Sequence, residues 1–299
     1  MVRYRIIHRT TYQYAEEVSL CHNEAQMTPR ATEFQSVRDS RIVVSPQPNV
    51  SMERSDYFGN RSYYFAVQSP HNVLEILSES TVELSPRTGP SGNNPILPNS
   101  ATWEEVRDRL RGPEFWNIYE YITDSSHARS SRALREYAEV SFTPGRPILL
   151  AVWDFTQRIH TDFKYEPGST SVATRSEEVL KMRRGVCQDF THLAISCMRS
   201  LGLAARYVSG YIESAPTAGP RLQGADASHA WFAAFVPGLG WFDFDPTNRN
   251  MPADQHITVS YGRDYADITP VKGIVFGGGK SVCKVAVDVL RSEANPGRS

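Results

Sequence analysis

The chain has 299 residues, 40% of them hydrophobic and 22% charged, with a formal charge of -1. That length supports two hydrophobic cores, and the near-zero charge gives no field for nucleic acid or an anionic membrane surface. Cys21, Cys187, Cys197 and Cys283 are widely spaced and form no CxxC pair, which fits reduced thiols in a cytoplasmic protein better than a disulfide framework.

The first residues, Met1-Val2-Arg3-Tyr4-Arg5-Ile6-Ile7-His8-Arg9, carry charge where a signal peptide needs its apolar run. Tyr4 to Tyr14, Val37 to Val44, Ser62 to Val67 and Val73 to Leu84 are rich in aromatic and β-branched residues. Turn signals at Ser45 to Asn49, Gly59-Asn60 and Ser69 to Asn72 separate them. Residues 1–85 are therefore expected to form a β-sandwich-like domain. Pro86 to Ser100, with four prolines, two glycines and three asparagines, reads as a linker.

Short helices are predicted over Thr102 to Arg111, Pro113 to Ile122 and Ser131 to Val140, placing linker and helices at 86–147. Pro147 precedes a longer helix, Ile148 to Asp162. Its apolar run, Ile148 to Trp153, is too short to span a bilayer. Ser176, followed by Glu177 and Glu178, opens another helix. Then come strand-like segments at Ala205 to Glu213, His229 to Val236, Gly240 to Asp245 and Val282 to Leu290. The core is expected to span 148–291, including that last strand, with 292–299 as a disordered tail.

Chemistry concentrates at Arg184-Gly185-Val186-Cys187-Gln188-Asp189-Phe190. From Phe190 the apolar positions Leu193, Ala194, Cys197, Met198 and Leu201 follow helical spacing, and Gly202 supplies the stop. Cys187 thus sits at a helix start, where free N–H groups and the helix dipole favour an anion, and the thiolate is the reactive form of cysteine. A base and an orienting group would complete a nucleophilic site. His229 lies just after a small-residue loop, in Asp226-Ala227-Ser228-His229-Ala230-Trp231. The turn Val236 to Gly240 makes a hairpin that carries Asp243 and Asp245 toward the same end. Alternation puts both carboxylates on one face and does not choose between them. His192 is rotated about 140° around the helix from Cys187, so its side chain should diverge. The eight histidines form no spaced ligand set and HExxH is absent, so neither metal nor cofactor is expected.

Gly185 to Phe190, Leu201 to Tyr211, Ser228-His229-Ala230-Trp231, Gly240-Trp241 and Asp245-Pro246-Thr247 together resemble the core of the bacterial transglutaminase-like superfamily. Residues 1–85, with Asp56-Tyr57-Phe58-Gly59-Asn60, resemble the N-terminal region that precedes it. The resemblance implies an α+β, papain-like fold: a Cys-bearing helix packed on an antiparallel sheet bearing His and Asp, behind a β-sandwich-like domain. It implies a triad of Cys187, His229 and Asp245, which settles the choice against Asp243. Tyr165 falls in the region of an aromatic oxyanion donor, and Gln188, Trp231 and Asp226 are candidates to line the substrate site. The implied activity is acyl transfer from a peptide or protein amide (peptide or glutamine-type) through a Cys thioester, hydrolytic rather than cross-linking. A true transglutaminase with an amine acceptor and a catalytically silent peptide-binding scaffold are the alternatives. Oligomeric state is not legible.

Overall fold

The computed structural model describes residues 1–87, 89–214 and 228–292. Strand β1 (Val2–Ala25) organises the N-terminal region and reverses its inward face along its length. Tyr4, Ile6, His8 and Thr10 are buried in its first half, and Cys21, Asn23 and Ala25 in its second. A one-residue slip flips every side chain of a strand, and register shifts between Gln13 and Val18 and between Val18 and Leu20 produce that flip. Four strands follow: β2 (Gln35–Ser45), β3 (Val50–Ser55), β4 (Arg61–Val67) and β5 (His71–Leu84). The start of β1 pairs with β5, which carries β2, while its end pairs with β4, which carries β3. One antiparallel sheet therefore curls over itself, and its two halves share a core of Val18, Cys21, Phe65, Val67, Leu74 and Ile76.

Helices α1 (Trp103–Arg109), α2 (Arg132–Glu139) and α3 (Ile148–Asp162) come next. α1 begins with a capping box, in which Glu105 N donates to Thr102 and Glu105 accepts from the Thr102 N–H. Two 3₁₀ turns, Pro113–Phe115 and Tyr119–Tyr121, replace the α-helix expected over Pro113 to Ile122. Ile118 and Tyr121, the buried residues here, are spaced by three, the repeat of a 3₁₀ turn.

The short strand β6 (Lys164–Tyr165) is followed by α4 (Ser176–Met182), β7 (Arg184–Gly185), α5 (Cys187–Ser200), β8 (Ala205–Ile212), β9 (His229–Val236), β10 (Gly240–Phe244) and β11 (His256–Gly262). The last four form an antiparallel sheet ordered β10-β9-β8-β11. α5 lies on it, with Phe190, Leu193, Ala194, Cys197 and Met198 buried in one cluster with Phe232, Ala234 and Phe244 of the sheet.

Strands β12 (Val271–Gly277) and β13 (Ser281–Ser292) complete the chain. The segment expected as the last strand of the core, Val282 to Leu290, leaves it: β13 pairs with β1 from Arg3 to Tyr14, and β12 pairs with β1 from Val18 to Ala25. Alternation shows that such a segment is a strand, but its partner is set by the free edge that the long β1 offers. Ser292, expected in the tail, pairs with Arg3; the rest of that tail, 293–299, lies outside the described residues.

The two regions meet along β11. Tyr4, Ile6, Val82, Leu84, Val287 and Val289 pack on Tyr211, Ile257 and Val259. The free edge of β11 is met by side-chain amides of the N-terminal region. Gln35 Nε2 donates to the Thr258 carbonyl at 2.7 Å and its Oε1 accepts the Thr258 N–H at 2.9 Å. Asn60 Nδ2 donates to the Tyr261 carbonyl at 2.7 Å and its Oδ1 accepts the Tyr261 N–H at 2.8 Å. Paired in this way, the edge offers less for another strand to add to. Gly59 enables the turn that presents Asn60, with φ at +75.

Candidate active site

Cys187 is the first residue of α5 and is 9% exposed. The turn before it is held by Asp189, whose Oδ2 accepts the Val186 N–H at 2.8 Å and the Thr170 hydroxyl at 2.6 Å. Burial raises the Asp189 carboxyl, and these two donors offset part of that. A Cβ on Gly185 would stand 2.7 Å from the Asp189 oxygen, so only glycine fits there. β6 and β7 pair in parallel, setting Tyr165 beside Gly185.

His229 opens β9, and Asp245 lies one residue beyond β10. The β9–β10 hairpin aligns Gly240 with Val236 and Phe244 with Phe232, which brings both residues to one end of the sheet. His229 Nε2 donates to Asp245 Oδ2 at 2.9 Å, and neither side chain reaches solvent. A carboxylate only accepts, so every other contact to Asp245 is a donor as well. Asn248 Nδ2 and His256 Nε2 reach Oδ2 at 2.8 and 3.1 Å, and the Thr247 and Asn248 N–H groups reach Oδ1 at 2.9 and 3.2 Å. Burial would raise the Asp245 carboxyl, but His229 and His256 hold it far below the usual carboxylate range. For His229, burial acts downward; Asp245 and then Cys187 reverse it and carry the imidazole up to about 10. Cys187 acts on the ring through a side-chain hydrogen bond as well as through its charge.

The bacterial transglutaminase-like N-terminal region model matches residues 4–83, and the transglutaminase-like superfamily model matches residues 143–246. Uncharacterized protein Rv2569c of Mycobacterium tuberculosis is 40% identical over 299 residues, covering 98% of this chain and 94% of the relative. Uncharacterized protein ML0607 of Mycobacterium leprae is 32% identical, covering 97% and 99%. The chain belongs to the transglutaminase-like superfamily. A solved structure of a candidate cysteine protease from Cytophaga hutchinsonii shares the fold, with a TM-score of 0.76, 23% identity and coverage of 98% of this chain and 92% of that one.

Within this transglutaminase-like core, Asp243 is drawn away from His229: its Oδ2 accepts from Arg87 at 3.2 Å. His192 is buried against Tyr207 of β8, its Nε2 accepts the Tyr265 N–H and its ring stacks on His127 at 5.3 Å. Burial takes His192 down to about 3. Tyr165 is partly buried, edge-on to Phe190 at 6.5 Å between centroids, and Gln188 is partly exposed beside Cys187. Trp231, expected to line the substrate site, exposes no surface. Its ring lies edge-on to His256 at 5.3 Å, in the space left by Gly210, where a Cβ would come within 2.3 Å of it. It supports the site from behind, because inward alternation along β9 carries it under the sheet. Asp226 lies outside the described residues.

His256 and Asn248 are the polar neighbours that sequence reasoning missed. Asn248, three residues past Asp245, follows the Asp-Pro-Thr turn and was open to a local reading. His256 opens a strand that carries no motif. His229, Asp245 and His256 each bring one possible ligand atom within 4.8 Å of the others, a spacing that could hold a metal ion. Hydrogen bonds among the three already occupy the positions a cation would need. Among the described residues, no helix is long and apolar enough to cross a membrane.

Proposed function

We propose that the chain is a cysteine-dependent acyl-transfer enzyme acting on amide bonds of peptides or proteins. The observation that carries the reading is the sealed His229–Asp245 pair, whose imidazolium is favoured by Asp245 and by Cys187, the latter through both its charge and a hydrogen bond with the ring. Cys187 is the nucleophile, His229 the acid and base, and Asp245 the group that fixes the His229 ring. The reaction starts with the proton on His229 and the charge on sulfur. Sulfur attacks the amide carbon, and the oxyanion is held by the Cys187 N–H and the Tyr165 hydroxyl. His229 then gives its proton to the leaving nitrogen, the C–N bond breaks and a thioester remains. A water molecule loses a proton to His229, adds to the thioester and releases a carboxylic acid, and the proton returns the site to its first state.

Hydrolysis, rather than transfer to an amine, is the outcome of the thioester step in this proposal. All four cysteines are free, which supports a reducing, cytoplasmic setting. The test is a screen of peptides and acyl-glutamine compounds with and without a primary amine. Carboxylic acid product should dominate in both arms, and Cys187→Ala should lower turnover on the order of 10⁶-fold. Turnover by Cys187→Ala at the wild-type rate would sink the reading, and a product that is mainly the amine adduct would replace hydrolase with transglutaminase. Iodoacetamide should also label Cys187 ahead of Cys197, which is fully buried and whose thiol is pushed up by that burial.

A further inference from the structure

We propose that His256 is a positioning residue for the His229–Asp245 pair, holding the Asp245 carboxylate in place through its Nε2–H while remaining neutral itself. The inference rests on the proposed triad and adds to it a residue outside the 143–246 core segment that the superfamily model matches. The contact is 3.1 Å long, with 1% and 0% of the two side chains exposed. It falls on Oδ2, the oxygen that also takes His229 and Asn248.

Tautomer and charge follow from this placement. Asp245 accepts only, so His256 carries its hydrogen on Nε2. Its Nδ1 is buried without a partner. A bare ring nitrogen tolerates that better than an N–H would, since a second proton would bury an unpaired charged donor. Three titratable or charged groups face the ring: Asp245 from the turn after β10, His229 from β9, and Arg87 from the segment after β5. Burial lowers His256, Asp245 opposes that, and His229 and Arg87 add to the lowering. Two imidazoles on one carboxylate are thus driven apart, His229 toward the charged form and His256 toward the neutral one, which separates proton carrier from support.

His256 is itself held. It begins β11 opposite Ile212 of β8, its ring packs edge-on to Trp231, and Gln35 grips Thr258 two residues on. Support therefore runs from the N-terminal sheet through β11 and His256 to Asp245. This gives the N-terminal region a mechanical part in the site.

The test compares His256→Gln, whose Nε2 keeps a donor at about the same reach, with His256→Leu, which keeps the bulk and removes the donor. In ¹⁵N-histidine spectra of the wild type, His256 should show the neutral Nε2–H form at pH 7 and above. A charged ring or the Nδ1–H form there overturns the proposal without any variant. His256→Leu should lower kcat on the order of 10- to 100-fold with KM little changed, and its His229 titration midpoint should fall. His256→Gln should restore both to near the wild-type values. A packing role predicts the reverse order, because leucine fits the apolar face of Trp231 better than glutamine does. Equal His229 midpoints in all three proteins, or Leu outperforming Gln, overturn the proposal. If wild-type Cys187 is labelled no faster than Cys197, the triad reading fails and takes this one with it. Selective Cys187 labelling with no difference between Gln and Leu sinks the role of His256 alone.

Discussion

His8 in the N-terminal sheet and His229 in the core are equally enclosed, each 1% exposed, yet their charge states are opposite. Burial lowers His8 to about 4. Its Nδ1 donates at 2.8 Å to the Tyr211 hydroxyl, which donates onward to the Met27 carbonyl, and Thr10 reaches the other ring nitrogen at 3.3 Å. Every partner is neutral, so nothing offsets the loss of water around a charge. His229 has a carboxylate sealed in with it and is carried up to about 10. Enclosure favours the neutral ring in both places; only an enclosed opposite charge reverses it. His192, with Asp264 acting on it more weakly than burial does, falls on the side of His8.

The comparison breaks most sharply at Asp245. Asp245→Asn should reduce turnover on the order of 10² to 10⁴-fold and drop the His229 midpoint, followed by NMR titration, below 6.5. The amide would turn an N–H group toward donors that now meet a carboxylate, costing on the order of 3–5 kcal/mol in stability. That cost would show as a lowered urea midpoint. A variant that keeps the raised His229 midpoint would show that Asp245 is not its cause. The sealed pair also has a pH signature. His229 binds more protons folded than unfolded, so its stabilisation is complete below pH 6.5 and is lost as pH rises through about 10. Asp245→Asn should remove that alkaline loss.

His8 has the opposite sign. Its folded value lies below its unfolded one, so the unfolded chain binds the extra proton, and stability falls as pH drops from 6.5 toward about 4. The full effect is about 3 kcal/mol. His8→Gln should flatten that acid limb in urea melts while leaving the alkaline limb alone; an unchanged acid limb would assign it to other groups.

Gly210→Ala tests the packing behind the His229 end of the comparison. Gly210 pairs with His229, and a Cβ there would lie 2.3 Å from both the Ile257 carbonyl and the Trp231 ring. A loss of about 1–3 kcal/mol is expected, read from thermal melts, and an unchanged melt would mean that Trp231 moves aside freely. Asp243→Asn should have the smallest effect. Its partly exposed bridge to Arg87 is worth at most about 1 kcal/mol, and turnover should stay within about threefold of wild type by the same assay. A larger loss would reopen the choice between the two carboxylates.

Much of this was legible in local pattern. The apolar spacing from Phe190 to Leu201, bounded by Gly185 and Gly202, specified the helix and put Cys187 at its start, and α5 begins there. The hairpin turn placed His229 and a carboxylate at one end, because two antiparallel strands joined by a short turn have little freedom in register. Alternation could not separate Asp243 from Asp245, since both share a face. Arg87, distant in sequence, made the difference by taking Asp243, while His256 closed on Asp245.

The pairing of β12 and β13 with β1, and the parity reversal along β1, were likewise beyond local reading. Periodicity records which side of a segment faces inward, and motif spacing records which chemistry is carried. Neither records which distant edge or side chain will be the neighbour, because that contact exists only after the chain has closed over hundreds of residues and the carboxylate has been shut away from water.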